Sequence, residues 1–110
     1  MRRVVSSSEI VGNCECQGLS MDVSAHSDAY YEEATSTLQV KLMAEVEPAD
    51  NEFHSSWPHP DWLPAKQTVQ EHLPYEDALQ VAKEIFRNWA RKVREAMPDN
   101  TETNQNRRDL

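Results

Sequence analysis

The sequence has few of the residues that build tight loops and disulfide scaffolds. Its 110 residues include only two glycines and two cysteines. Phosphate-cradling loops need several closely spaced glycines, so neither a Walker-type nor a dinucleotide-binding loop is present. A bridge between Cys14 and Cys16 would close a small, strained ring, and two cysteines are too few for a secreted disulfide framework. We therefore expect reduced thiols and no bound cofactor.

Long apolar runs are missing as well. No stretch reaches the roughly 18 apolar residues that a transmembrane helix needs. The N-terminus turns from Val4 and Val5 to the serines at residues 6–8, so it lacks the apolar run of a secretory signal. These absences predict a cytoplasmic protein that does not enter a membrane.

Basic residues are scarce over most of the chain. Residues 4–77 carry 14 acidic side chains and only Lys41 and Lys66 as bases, a net charge of −12. Residues 78–110 carry seven bases and five acids. An acidic body repels the phosphates of nucleic acids and attracts cations. This charge pattern disfavours nucleic acid and favours a basic protein as the partner.

One segment has the periodicity of a long amphipathic helix. From Tyr75 to Met97 the apolar residues recur three and four apart, which places them on one face of a helix. Pro74 suits the start of a helix, where no backbone N–H is needed, and Pro98 ends it. The spacing therefore predicts a helix from Pro74 to Met97.

Two segments alternate strictly between apolar and other side chains, which is the pattern of half-buried strands. The first spans residues 19–26 and the second residues 37–47, where Pro48 ends it. We expect them to pair as an antiparallel hairpin with their apolar sides together. Residues 27–36 break the alternation and predict a long loop that contains one helical turn, capped by Ser27.

Two further segments have weaker patterns. Residues 3–11 contain two β-branched pairs and predict an edge strand, followed by turns at residues 12–13 and 17–18. Residues 66–73 fit either a strand or a short helix. Their β-branched pair and their position before a proline-led helix favour the strand.

Together these elements predict an α+β fold, in which a small antiparallel sheet of three or four strands is packed on one face by a single long C-terminal helix. We expect one domain over residues 1–97, with an irregular, proline-rich segment at residues 48–64. Residues 98–110 have one apolar side chain and predict a disordered tail. Such a layout occurs with many functions, so it does not identify one.

Two cysteines and two histidines support a metal-binding hypothesis. Cys14, Cys16, His54 and His59 offer two thiolates and two imidazoles, and the histidine spacing fits a zinc site. The single residue between the cysteines is shorter than the usual spacing of two to four. We therefore expect surface histidines, unrelated thiols and no metal, with a zinc site as the alternative.

The predicted helix carries a row of bases on its exposed side. Lys83, Arg87, Arg91 and Arg94 are spaced four, four and three residues apart and form one basic ridge. This basic ridge is either a solvated helix face or an alternative site that grips phosphates or an acidic partner. No aromatic residues interleave it, as binders of single-stranded nucleic acid need.

The segment from His54 to Pro64 is rich in tryptophan, proline and histidine. Trp57 and Trp62 either close one end of the core or, together with His59, anchor a partner, because tryptophan serves both roles. We expect Trp62 to be buried beside the next regular element and Trp57 to be partly exposed.

The charge pattern favours a small, acidic protein-interaction domain over an enzyme. An inhibitor, an immunity-type protein or a regulatory factor that docks on a basic partner fits this description. The expected binding residues are solvent-side carboxylates on and beside the long strand: Glu45, Glu47, Asp50 and Glu52, with Asp22 across the hairpin. The alternative is a small metal-dependent or histidine-based enzyme that uses the segment from His54 to Trp62.

Overall fold

The computed structural model describes residues 1–16, 18–48 and 60–98. Four strands and one helix follow one another along the chain: β1 Arg2–Cys16, β2 Leu19–Glu32, β3 Thr37–Pro48, β4 Gln67–His72 and α1 Tyr75–Ala96. The strands form one sheet in the order β1-β2-β3-β4, and each neighbouring pair is antiparallel. The helix packs on one face of this sheet, across β1, β2 and β3. The predicted α+β fold is confirmed.

The hairpin of β2 and β3 forms the centre of the core, as its alternation predicts. Val23 lies opposite Val46, and Ala29 lies opposite Val40. All four side chains are buried on the helix side of the sheet. Gly18 supplies a positive φ of 80° between β1 and β2, a backbone conformation that glycine adopts without strain.

The helix buries most of the apolar stripe that its spacing predicts, although Leu79 of that stripe is 45% exposed. Phe86 and Trp89 lie in the core, with 9% and 2% of their surface exposed. The indole Nε1 of Trp89 donates a hydrogen bond to the carbonyl oxygen of Met43 at 2.9 Å, so this ring fixes the helix against β3. Pro74 precedes the first turn and Met97 follows the last one, close to the predicted bounds.

Contacts at its two ends show how the helix lies on the sheet. Near the helix start, the Arg2 guanidinium lies 4.0 Å from the centre of the Tyr75 ring. Near the helix end, Arg94 lies 3.5 Å from the carboxylate of Glu9. Because Arg2 and Glu9 follow each other along β1, the helix runs beside β1 in the same direction.

Strand β2 is longer than its sequence predicts. Residues 27–32 belong to the strand, so the loop expected over residues 27–36 is wrong for its first part. Ser27 occupies a buried position opposite Leu42, where the pattern calls for an apolar side chain. Beyond Ser27 the alternation resumes, and Tyr31 is again buried. The small, buried serine therefore hides the second half of the strand.

Strand β1 is also longer than predicted, and the turn expected at residues 12–13 is wrong. The pairing register of β1 with β2 shifts between Arg3 and Val5 and again between Ile10 and Gly12. At each β-bulge an extra residue interrupts the alternation between the two faces of the sheet. A strand with two bulges therefore has no single period that the sequence could reveal.

The remaining segments agree with the expectations where they are described. Residues 66–73 contain the strand β4, as favoured over a helix. An irregular segment is expected over residues 48–64. Pro48 is the last residue of β3, and residues 60–64 contain a turn in which Leu63 is buried. The expected tail, apart from Pro98, lies outside the described residues.

Candidate functional site

The candidate site is the face of the sheet that points away from the helix, here called the open face. Side chains alternate between the two faces of a strand, so those that are not directed at the core lie on the open face. No described helix or strand covers this face. Its main residues are Arg3, Ser6, Ser8, Ile10, Asn13 and Glu15 on β1, Asp22, His26, Asp28, Tyr30 and Glu32 on β2, and Gln39, Lys41, Met43, Glu45 and Glu47 on β3.

The open face is acidic. It carries six carboxylates and, besides His26, the two bases Arg3 and Lys41. Two of the carboxylates, Glu45 and Glu47, are neighbours on β3, and Asp22 lies directly opposite Glu47 on β2. Like charges on adjacent strands repel each other, so this arrangement leaves an unbalanced negative potential above the sheet.

Cross-strand hydrogen bonds hold the β1 side of this face. The Asn13 amide donates to the Asp22 carboxylate at 3.2 Å, and the Ser6 hydroxyl donates to Asp28. Both acceptors on β2 therefore have partners on β1. Glu47 on β3 differs, since it forms no ion pair within residues 1–16, 18–48 and 60–98.

A polar row crosses the middle of the face from β1 to β3. The Ser8 hydroxyl lies 2.9 Å from Nδ1 of His26, its direct partner in the register. On the other side of the ring, Nε2 is buried and lies 2.8 Å from a carboxylate oxygen of Glu45. This second contact has the distance of an ion pair but not the angle of a hydrogen bond. Ser8 and Glu45 thus contact the His26 ring from its two sides.

The row contains the three group types of a hydrolytic triad, but its setting is not that of a nucleophile. In α/β-hydrolases the catalytic serine stands on a strained turn beside donors for an oxyanion. Ser8 instead lies in a regular part of β1, between the two bulges. Among the described non-glycine residues, Ser36 has a positive φ and Ser8 does not. The row is best explained as a chain of contacts that orients His26.

A hollow of about 390 Å³ opens beside His26, where β4 begins. Leu42 and Met43 contribute to its lining, and Lys41, Lys66 and Asp28 supply charges of both signs. Met43 and Ile10 are large apolar side chains of the open face, with 42% and 61% of their surface exposed. The acidic face therefore also offers apolar contacts and a recess.

The structure places only some of the predicted site residues. Glu45 and Glu47 lie on the open face, as expected. Trp62 is half-buried and packs against the core, so it is less enclosed than predicted. Five predicted residues lie outside the described residues. They are Asp50 and Glu52 of the acidic site, Trp57 of the tryptophan site, and the two histidines of the metal hypothesis, His54 and His59.

The described part of the chain gives no support to the metal hypothesis. Cys14 is buried. Within that part, no three or more histidine, cysteine, aspartate or glutamate side chains are grouped to hold a metal ion. The basic ridge, in contrast, is fully placed: Lys83, Arg87, Arg91 and Arg94 are all exposed on α1, on the other side of the molecule from the open face.

Sequence reasoning placed His26 on the polar side of the strand over residues 19–26, but it missed Ser8 and Asp28 as members of the open face. Asp28 belongs to the second half of β2, which the buried Ser27 conceals. The contact of Ser8 with His26 depends on the register of β1, which two bulges set. The signal in the sequence that could have found Asp28 is the return of the alternation at Ala29 and Tyr31.

Comparison of the chain with family models, with curated proteins and with solved structures found no match. The one helix that the structure describes, α1, is not apolar enough to cross a membrane.

Proposed function

We propose that this protein is a small interaction domain that binds a basic partner protein through the open face of its sheet. The observation that carries the proposal is the excess of carboxylates on a face that no described helix or strand covers. Complementary charge steers a cationic partner to such a face and fixes its orientation. An inhibitor, an immunity-type protein or a regulatory factor is the class of protein that works in this way.

The composition of the face supports a protein rather than a small cation as the ligand. Protein interfaces combine a few apolar anchors with a polar, charged rim. Met43 and Ile10 provide exposed apolar surface, and the hollow beside His26 can receive a side chain of the partner. Glu45 and Glu47 lie in the part of β3 that pairs with β2, opposite Ser24 and Asp22, so the backbone that carries them is in place before binding.

The first experiment captures partners from the source cell with the wild-type chain and with two variants. Glu45→Lys/Glu47→Lys reverses two charges of the open face. Glu84→Lys/Glu95→Lys makes the same change of charge on the exposed side of α1 and is the matched control. We expect the first variant to lose the partner and the control to retain it.

The second experiment measures the association rate of the captured partner at low and high salt. Screening shortens the range of electrostatic attraction to about 10 Å near 0.1 M salt, so association should slow as salt is added. The open-face variant should associate slowly at every salt concentration. A rate that responds neither to salt nor to Glu45 and Glu47 would rule out docking by charge.

A further inference from the structure

Strand β1 is a long edge strand. It spans Arg2–Cys16 and ends the sheet, and no described strand pairs with its outer edge. The two bulges leave a regular stretch between them, from Val5 to Ile10. The unpaired N–H and C=O groups of such an edge are a template on which another extended chain can add as a strand.

The basic ridge of α1 lies along this same edge. Arg94 reaches Glu9 of β1, and Lys83, Arg87 and Arg91 precede it on the same helical ridge. Trp89 marks the other flank of the helix, because its indole bonds to β3. The flank that carries the basic ridge is therefore turned toward β1 and the solvent beyond it.

We propose that an extended, acidic segment of a partner adds as a strand to the outer edge of β1. Every second residue of this segment then contacts the basic ridge through its carboxylate. The spacings match. Residues two apart on a strand are separated by about 6.8 Å, and residues four apart on a helix by about 6 Å. A strand that alternates acidic and other side chains can thus meet Lys83, Arg87 and Arg91 in succession. This site is separate from the open face and does not depend on its function.

A second copy of the chain fits this edge poorly. Antiparallel pairing of two β1 edges in one continuous sheet would put both helices on the same side and bring their basic ridges together. Like charges at an interface oppose association. A nucleic acid strand could contact the basic ridge but has no peptide groups to continue the ladder of β1. An acidic peptide is the ligand that satisfies both the edge and the charge.

The test uses a fluorescent nine-residue peptide that alternates glutamate with threonine, and the full-length protein at low salt. We expect saturable binding that the same peptide with lysine in place of glutamate does not show. Arg87→Gln/Arg91→Gln should weaken binding at least tenfold, since both bases are exposed and their removal leaves the core intact. Lys41→Gln/Lys66→Gln removes the same charge away from the basic ridge and should change binding less than twofold.

N-methylation of the peptide distinguishes strand addition from simple charge attraction. A strand on an edge bonds through alternate residues, so N-methyl groups at one set of alternate positions should weaken binding at least tenfold. The other set should leave binding within twofold. Equal effects of the two sets, no saturable binding, or tighter binding of a nine-nucleotide oligothymidylate than of the peptide would each overturn the proposal.

Discussion

At the scale of single residues, Trp89 connects the helix to the sheet by both packing and a hydrogen bond. Its side chain is buried, and its Nε1 donates a hydrogen bond to the carbonyl oxygen of Met43. Met43 lies one residue beyond Leu42, where the pairing of β3 with β4 stops. Without this donor, the carbonyl would lose its bond in a partly buried place. Such a loss costs more than an exposed hydrogen bond contributes.

We predict that Trp89→Phe lowers the free energy of unfolding by about 1–3 kcal/mol, because it removes the donor and keeps most of the ring. Trp89→Ala should lower it by about 3–5 kcal/mol, since it also empties the space in the core. Urea unfolding measures both changes. Leu79→Ala, at a helix position with 45% exposure, is the control and should stay within about 0.5 kcal/mol of the wild-type protein. Wild-type stability in Trp89→Phe would show that the bond contributes nothing.

Gly12 is the second residue whose role follows from a close approach. A Cβ added at this position would lie 2.7 Å from Sδ and 2.8 Å from Cε of Met97. Both atoms belong to the flexible end of a methionine, so the contact can relax at a moderate cost. The glycine is therefore needed to admit this side chain rather than to form the turn that the sequence suggests.

We predict that Gly12→Ala destabilises the protein by about 1 kcal/mol through this contact. In a Met97→Ala background the obstacle is gone, and Gly12→Ala should become neutral or slightly stabilising because alanine restricts the unfolded chain. A double-mutant cycle by urea unfolding measures the coupling between the two positions. If the two changes are additive, Met97 is not what limits the size of residue 12.

At the scale of elements, the small residues of α1 set its distance from the sheet. Ala78, Ala82 and Ala90 are buried against the strands. We predict that Ala82→Leu destabilises the protein by about 1–3 kcal/mol, because a larger side chain has no room between helix and sheet. Gln80→Leu, on the exposed side of the same helix, should change stability by less than about 0.5 kcal/mol. Similar results for the two variants in thermal unfolding would mean that the interface tolerates expansion.

The helix and two strands could be predicted from the sequence because one period governs each of them. Apolar residues keep helical spacing along α1, and β3 alternates without interruption. Strand β1 could not be bounded, since its bulges change the period twice, and β2 could be followed only to His26 because Ser27 is polar yet buried. Tertiary pairing, rather than local preference, determines these segments.

The same limit applies to the candidate sites. Alternation along β3 was sufficient to place Glu45 and Glu47 on one face, and helical spacing was sufficient to define the basic ridge. The contact between Ser8 and His26 needs the register of two strands, which the bulges determine. That the basic ridge lies beside the β1 edge follows from the Arg94–Glu9 pair, between residues 85 positions apart.

At the scale of the whole molecule, the two layers separate the charges. The open face of the sheet carries the carboxylates, whereas the exposed side of the helix carries the basic ridge. Residues 78–110 carry only a small net positive charge, yet the exposed side of the helix within them is basic. The two proposed binding sites lie on different sides of the molecule, so under these proposals a basic and an acidic partner would not compete.

The two layers also depend on each other for stability. A sheet of four strands with one apolar face needs cover, because side chains such as Val23, Leu38 and Val40 would otherwise be exposed to water together. We predict that a chain ending at Leu73, which lacks α1, shows no cooperative unfolding by circular dichroism. A chain ending at Pro98 is the control, and we expect its melting temperature to stay within about 5 °C of the full chain, equivalent to roughly 1 kcal/mol at this size. Cooperative unfolding of the chain without the helix would show that the strands alone hold a core.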